Sequence, residues 1–147
     1  MISNTIDQEI KQAMLAKNQP KLRGLRAIKA ALLLARTEKG SEEVTEEVEL
    51  KILQKLIKQR RESADIYTQQ GRADLAVIEE EEIEVINQFL PKQMEREEVE
   101  EVIAKIVADS GATSVKDMGK VMGLANKELT GKADGKLIAE IVKAQLA

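Results

Sequence analysis

The sequence predicts an all-α protein, and three observations carry that prediction. Aromatic residues make up only 1% of the chain, whereas a β-sandwich or barrel of this size draws on Tyr, Phe and Trp. Two prolines and eight glycines are too few for the many turns of an all-β chain. Apolar residues recur at 3,4 spacing along the whole length, which is the helical period. Hydrophobic residues reach 43% of 147 residues, enough for a core and too many for a disordered chain. That length suits one domain or two small ones.

The first helix is expected over about Ser3 to Lys17, with Ile6, Ile10, Ala13 and Met14 on one face. Asn18 to Pro20 breaks the pattern, and Pro20 suits the first turn of a second helix running to about Lys39. Leu22, Leu25, Ile28 and Leu32 form its stripe, Gly40 stands just past its end, and Gly40 to Glu43 reads as a linker. The third helix, about Thr45 to Gln70, is the longest, at roughly 39 Å. Thr45 can cap it, and Glu46, Glu47 and Glu49 oppose the positive end of its dipole. Leu53, Ile57, Arg60, Ala64 and Tyr67 lie on its stripe. Gly71 is a left-handed terminator, after which the fourth helix runs from about Arg72 to Leu90 with Leu75, Ile78, Glu82, Val85, Ile86 and Phe89. So short a break predicts an antiparallel hairpin packed through Leu53, Ile57, Ala64, Ile78, Ile86 and Phe89.

Pro91 marks a boundary, dividing the chain into 1–90 and 91–147. The second part holds a fifth helix, about Glu95 to Asp109, closed by Gly111. Ser114 to Asp117 resembles a capping box and opens a short helix through Met118, Val121 and Met122. Thr130 to Lys132 form a turn, and Asp134 caps a last helix bearing Leu137, Ile138, Ile141, Val142 and Leu146. The expected architecture is thus an N-terminal four-helix part with a long hairpin and a small C-terminal three-helix part.

What the chain lacks narrows its chemistry. Without Cys there is no disulfide framework and no thiolate metal site. Without His, the usual general base near neutral pH and the usual zinc ligand are gone. No serine lies in a G-x-S-x-G elbow. The acidic run Glu79 to Glu82 with Glu84 spreads over every face of a helix and reads as a solvated surface, Glu82 alone lying within an apolar stripe. Catalytic residues, metal and cofactor are therefore all expected to be absent. Residues 1–15 lack the apolar core of a secretory signal, and no apolar run approaches the roughly 18 residues of a membrane span. A cytoplasmic location with no membrane partner is expected.

The net charge of −3 is unevenly spread. Residues 1–39 carry eight Lys/Arg against three acids, a net +5; residues 40–90 carry six against thirteen, a net −7. Residues 116–147 carry six Lys against four acids, a net +2. Local field, more than the sum, decides whether a polyanion binds. On the second helix Lys29 falls inside the apolar arc, bordered by Arg26 and Arg23. Such a lysine is expected to bury its stem and pair with an acid, Glu82 or another in the hairpin. The alternative is that Arg23, Arg26 and Lys29 form a secondary basic face for a ligand or RNA. In the C-terminal part, glycines 119, 123, 131 and 135 lie near helix starts among Lys116, Lys120, Lys127, Lys132 and Lys136. Two readings stay open: close helix packing through Gly119 and Gly123, or contact with an RNA backbone without base reading. This is not a P-loop, since the G-x-x-x-x-G-K-[ST] pattern is missing.

The strings Asp117-Met-Gly-Lys-Val-Met-Gly123, Gly131-Lys-Ala-Asp-Gly135 with Leu137-Ile138, Leu22-Arg-Gly-Leu-Arg26 and Phe89-Leu-Pro-Lys-Gln-Met94 resemble the YqeY (GatB/YqeY) family along essentially the whole chain. The resemblance implies a two-part helical fold whose 91–147 part is like the tail of the B subunit of the aspartyl/glutamyl-tRNA amidotransferase, and contact with the outer corner of a tRNA. Departures are Glu95, where the family often has Ser or Thr, and Ala133-Asp-Gly135, where the amidotransferase tail usually reads Ala-Asn-Pro. The carbon–nitrogen ligase activity with glutamine as amide donor belongs to those relatives by resemblance only.

The expected function is a non-catalytic tRNA-binding accessory module, with Lys116, Lys120, Lys132 and Lys136 on phosphates and Gly131 as a backbone contact. Amidotransferase subunits or an aminoacyl-tRNA synthetase are expected protein partners, and DNA is not. The competing reading is a protein-interaction module that docks through the hairpin without RNA.

Overall fold

A computed structural model describes residues 1–38 and 44–147. Every regular element among them is helical: α1 (Ile2–Leu15), α2 (Gln19–Glu38), α3 (Glu46–Gln69), α4 (Ala73–Asn87), α5 (Arg96–Ser110), a 3-10 turn (Val115–Asp117), α6 (Met118–Leu129) and α7 (Gly135–Leu146). The all-α expectation is borne out. The expected terminator Gly40 and the linker to Glu43 lie outside the described residues. The chain divides into two compact units, Met1–Leu90 with α1 to α4 and Pro91–Ala147 with the rest.

In the first unit, α2 packs on α1, α3 and α4, and α3 packs on α4. Leu25, Ile28, Leu53 and Ile86 are fully buried at its centre, with Ile6, Ile57 and Val85 around them. At Gly24 α2 and α4 approach closely: a Cβ there would stand 2.7 Å from Cβ and Cγ1 of Val85. Asn18 Oδ1 accepts the Lys21 N–H at 3.2 Å in the first turn of α2, and Thr45 caps α3 by accepting the Val48 N–H at 3.3 Å. Gly71, at φ 73°, turns the chain from α3 into α4.

Several expectations are extended or corrected. Glu49 stands in the first turn of α3 as expected, but it also serves another helix. It is fully buried, and its carboxylate accepts the Ile2 N–H (2.9 Å) and the Ser3 N–H (3.0 Å) of α1. It thereby caps another helix, one that no side chain of its own N-cap residue closes. Helix α4 stops at Asn87, three residues short of Leu90, because its end tightens into i→i−3 bonds: Phe89 N–H to the Ile86 carbonyl (3.0 Å) and Leu90 N–H to the Asn87 carbonyl (3.2 Å). Ile78, expected in the core, is 40% exposed. The buried residues at that end of α3 and α4 are Ala64 and Ala76, so the helices meet there without large side chains between them.

The partner of Glu82 is Arg60 of α3, at 3.4 Å, with only 16% and 18% of the two side chains exposed. Two residues lying in apolar stripes thus neutralise each other. Lys29 pairs with an acid as expected, but the acid is Asp7 of α1, at 2.5 Å, and not one of the hairpin; the residue is half-buried. The cause is α1, which lies along α2 and presents Asp7 on the flank.

The second unit is built on Val99, Ile103 and Ile106 of α5, Val121, Ala125 and Leu129 of α6, and Ile138, Ile141, Val142 and Leu146 of α7. The 3-10 turn rests on α6 and α7. Gly111, at φ 71°, closes α5. At its other end Glu98 Oε1 reaches back to the Glu95 N–H (3.3 Å), within a capping box made by two glutamates without Ser or Thr. The segment after Pro91 is stitched to the α6–α7 turn: the Met94 N–H donates to the Lys132 carbonyl (2.9 Å) and Gln93 Nε2 to the Gly131 carbonyl (2.7 Å). Among the described residues no helix is long and apolar enough to cross a membrane.

Candidate nucleic-acid interface

The expected phosphate contacts sit on three short stretches of the second unit. Lys116 lies in the 3-10 turn, positioned by Ser114, whose hydroxyl accepts the Lys116 N–H at 3.3 Å, and by Asp117, which accepts the Thr113 N–H at 3.0 Å. Lys132 and Lys136 flank Asp134 at the entrance to α7. All three lysines are exposed and form no ion pair among the described residues.

Lys120 is placed differently. Its ammonium donates to the Ser110 carbonyl at 3.3 Å, at the end of α5, where unpaired carbonyls make a partial negative charge. With Lys127, which the sequence reading left out of the site, it borders an open groove of about 700 Å³ whose floor is Ile106 and Leu124. Asp109 and Glu128 line the same groove and cancel the two ammonium charges.

The glycines separate into two kinds. At Gly119, Gly123 and Gly135 a Cβ would meet nothing within 4 Å. Close helix packing therefore does not explain Gly119 and Gly123, and that reading is withdrawn. Gly131 is buried at φ 78°, a left-handed conformation that favours glycine, and it makes the turn between α6 and α7. At the start of α7, Asp134 accepts the Lys136 N–H at 3.4 Å. This carboxylate takes up an amide that a phosphate would otherwise use, and its charge opposes an anion at the same place.

The secondary basic face is largely committed within the first unit. Arg23 pairs with Glu81 of α4 at 2.8 Å and Lys29 with Asp7, while Arg26 is exposed without an ion pair among the described residues. Lys29 and Arg36 border a small recess of about 160 Å³ beside Asp7 and Ser3. The resolved pKa perturbations fall on one exposed pair. A hydrogen bond from Arg72 lowers the Asp74 carboxyl below its ordinary value, and the same bond raises the Arg72 guanidinium. Among the described residues no group of three or more acids is placed to hold a metal ion.

Comparison with known proteins adds two findings. The model of a family described as Yqey-like protein matches residues 3–146. A curated relative, Altered inheritance of mitochondria protein 41, mitochondrial, from Clavispora lusitaniae, is 34% identical over 87 residues, 59% of this chain and 50% of its own length. The chain spans about half the length of the curated relative it matches.

Proposed function

The chain belongs to the Yqey-like protein family, and from that premise we propose that it is a tRNA-binding accessory module without catalytic chemistry of its own. The observation that carries the reading is the set Lys116, Lys132 and Lys136: three exposed ammonium groups on one small unit, none used in an internal ion pair among the described residues. Groups of this kind position a phosphodiester backbone and read no bases, so sequence preference is low. Lys120 belongs to the same set once its bond to the Ser110 carbonyl is released. Asp134 occupies the Lys136 N–H, which supports a contact made by side chains and not by the α7 amides. Amidotransferase subunits or an aminoacyl-tRNA synthetase are the protein partners this reading calls for, in the cytoplasm.

The test is a tRNA mobility shift with the wild type and with Lys116, Lys120, Lys132 and Lys136 all replaced by Ala. The wild type binds less tightly as salt rises, and the fourfold variant loses most of its affinity with helicity unchanged. Equal affinity of the two proteins refutes the site.

A second reading, protein docking through a hairpin of α3 and α4, draws on one observation. Ile66, Val77 and Ile78 are 52%, 47% and 40% exposed on these two helices. Isolated apolar side chains are common on surfaces, which is why the RNA reading stands first.

A further inference from the structure

Helix α3 carries a charged face that the net charge of its region conceals. From Leu50 to Arg61 the chain holds five cations, Lys51, Lys55, Lys58, Arg60 and Arg61, and no acid. Arg60 is turned to Glu82. The other four are exposed, and their spacing of 4, 3 and 3 keeps them within about 120° of arc on one side of the helix. Lys51 is 3.5 Å from Glu47; Lys55, Lys58 and Arg61 have no ion pair among the described residues. Glu62 and Asp65 follow just beyond the stretch. The stretch itself holds no acid, and the acids of residues 40–90 stand before and after it in sequence; Glu62 and Asp65, four residues on from Lys58 and Arg61, lie at the end of the same side of the helix. A net charge summed over residues 40–90 therefore does not describe this stretch.

The surroundings of these cations select the partner. No large apolar side chain is exposed between Leu50 and Arg61. A helix lying on a membrane needs an apolar side to insert. Protein interfaces centre on aromatic and aliphatic anchors and are depleted in Lys. A polar, cationic and apolar-free surface is the composition that meets a phosphodiester backbone. The helix holds Lys55, Lys58 and Arg61 about 4.5 Å apart along its axis, on rigid backbone.

We propose that the Lys55–Lys58–Arg61 face of α3 docks on an RNA phosphodiester backbone, a phosphate contact in the first unit additional to the lysines of the second. The inference rests on the tRNA-binding reading above. Its test is the full-length chain carrying Lys55→Gln, Lys58→Gln and Arg61→Gln, titrated with unfractionated tRNA across a salt series; Gln keeps the helix propensity of the residues it replaces. At about 0.1 M salt the affinity falls at least about tenfold, and the slope of log affinity against log salt becomes shallower by about 2 to 3. Unchanged affinity and slope overturn the inference, as does loss of polyglutamate binding with tRNA binding intact, which would assign the face to an acidic protein. If this triple variant keeps its affinity while the fourfold lysine variant loses it, only this inference falls. If the reverse holds, the inference stands and the proposed lysine site falls. A wild type without salt-sensitive tRNA binding removes both.

Discussion

Replacing Gly24 by Ala puts two opposed effects in competition, and the geometry says which wins. Gly24 lies inside α2, where helix propensity alone would make Ala more stable by about 1 kcal/mol. Its new methyl group would stand 2.7 Å from Cβ and Cγ1 of Val85. Ordinary carbon contacts lie near 3.5–4.0 Å. A change of rotamer moves Cγ1 but cannot move Cβ, which the α4 backbone holds. So α2 and α4 must separate by roughly 1 Å, through a core in which Leu25 and Ile86 are fully buried. Overpacking of this kind costs about 1–3 kcal/mol, so the net expectation for Gly24→Ala is a loss of about 1–2 kcal/mol. Adding Val85→Ala removes the Cγ1 clash and leaves the Cβ clash, so the pair recovers only part of that loss. The assay is urea unfolding followed by tyrosine fluorescence. Tyr67 is the single tyrosine, it lies on α3, and the chain has no Trp, so the signal reports the first unit alone. A Gly24→Ala variant more stable than wild type, at unchanged denaturant slope, would show that α2 and α4 do not approach this closely.

Two further outcomes follow from contacts described above. Glu49→Gln keeps the side-chain shape but leaves one acceptor oxygen for two amides, so it should cost about 1.5–3 kcal/mol and speed hydrogen exchange in α1; wild-type protection of those amides would refute the capping role. The lowered pKa of Asp74 means that its pairing with Arg72 contributes stability above the ordinary carboxyl range, and that this contribution is lost as pH falls through the lowered value. Asp74→Asn should therefore lower the urea midpoint slightly at neutral pH and not at all in strong acid, and an equal difference at both would contradict the pairing.

What was legible in the sequence was whatever depends on near neighbours. The helical class, the Thr45 cap, the left-handed Gly71 and Gly111, and the Ser114 and Asp134 caps are all set by residues within about four positions of one another. What failed depends on pairings across the fold. Glu49 looked like a residue serving its own helix because nothing local shows that Ile2 and Ser3 lie beside it, 47 and 46 positions away. The pattern of α2 shows that Lys29 needs an acid but not which one, because it carries no information on α1, whose Asp7 is the partner. Gly24 could be noticed in sequence but not explained, since its reason is a valine 61 positions on. For the candidate site, the lysines could be named, but whether each was free could not: Lys120 touches a carbonyl, and Arg23 and Lys29 have partners. The cationic run in α3 was hidden by summing charge over a span instead of over a face.

The two glutamates Glu81 and Glu82 are neighbours in sequence yet bond to different helices, Glu81 to Arg23 of α2 and Glu82 to Arg60 of α3. Partly exposed pairs of this sort add little net free energy. Their effect is on alignment. If α4 slid forward by one turn, Val77 and Ile78 would stand against the two guanidinium groups; if it slid back, Val85 and Ile86 would. Every one-turn slip therefore sets apolar side chains against two guanidinium groups in place of carboxylates. The close approach of Val85 to Gly24 resists the same shift, since a slip would bring Glu81 or Phe89 to that glycine. The charge pairs act with that contact as a two-pin key, matching α4 to its neighbours at one height and one rotation.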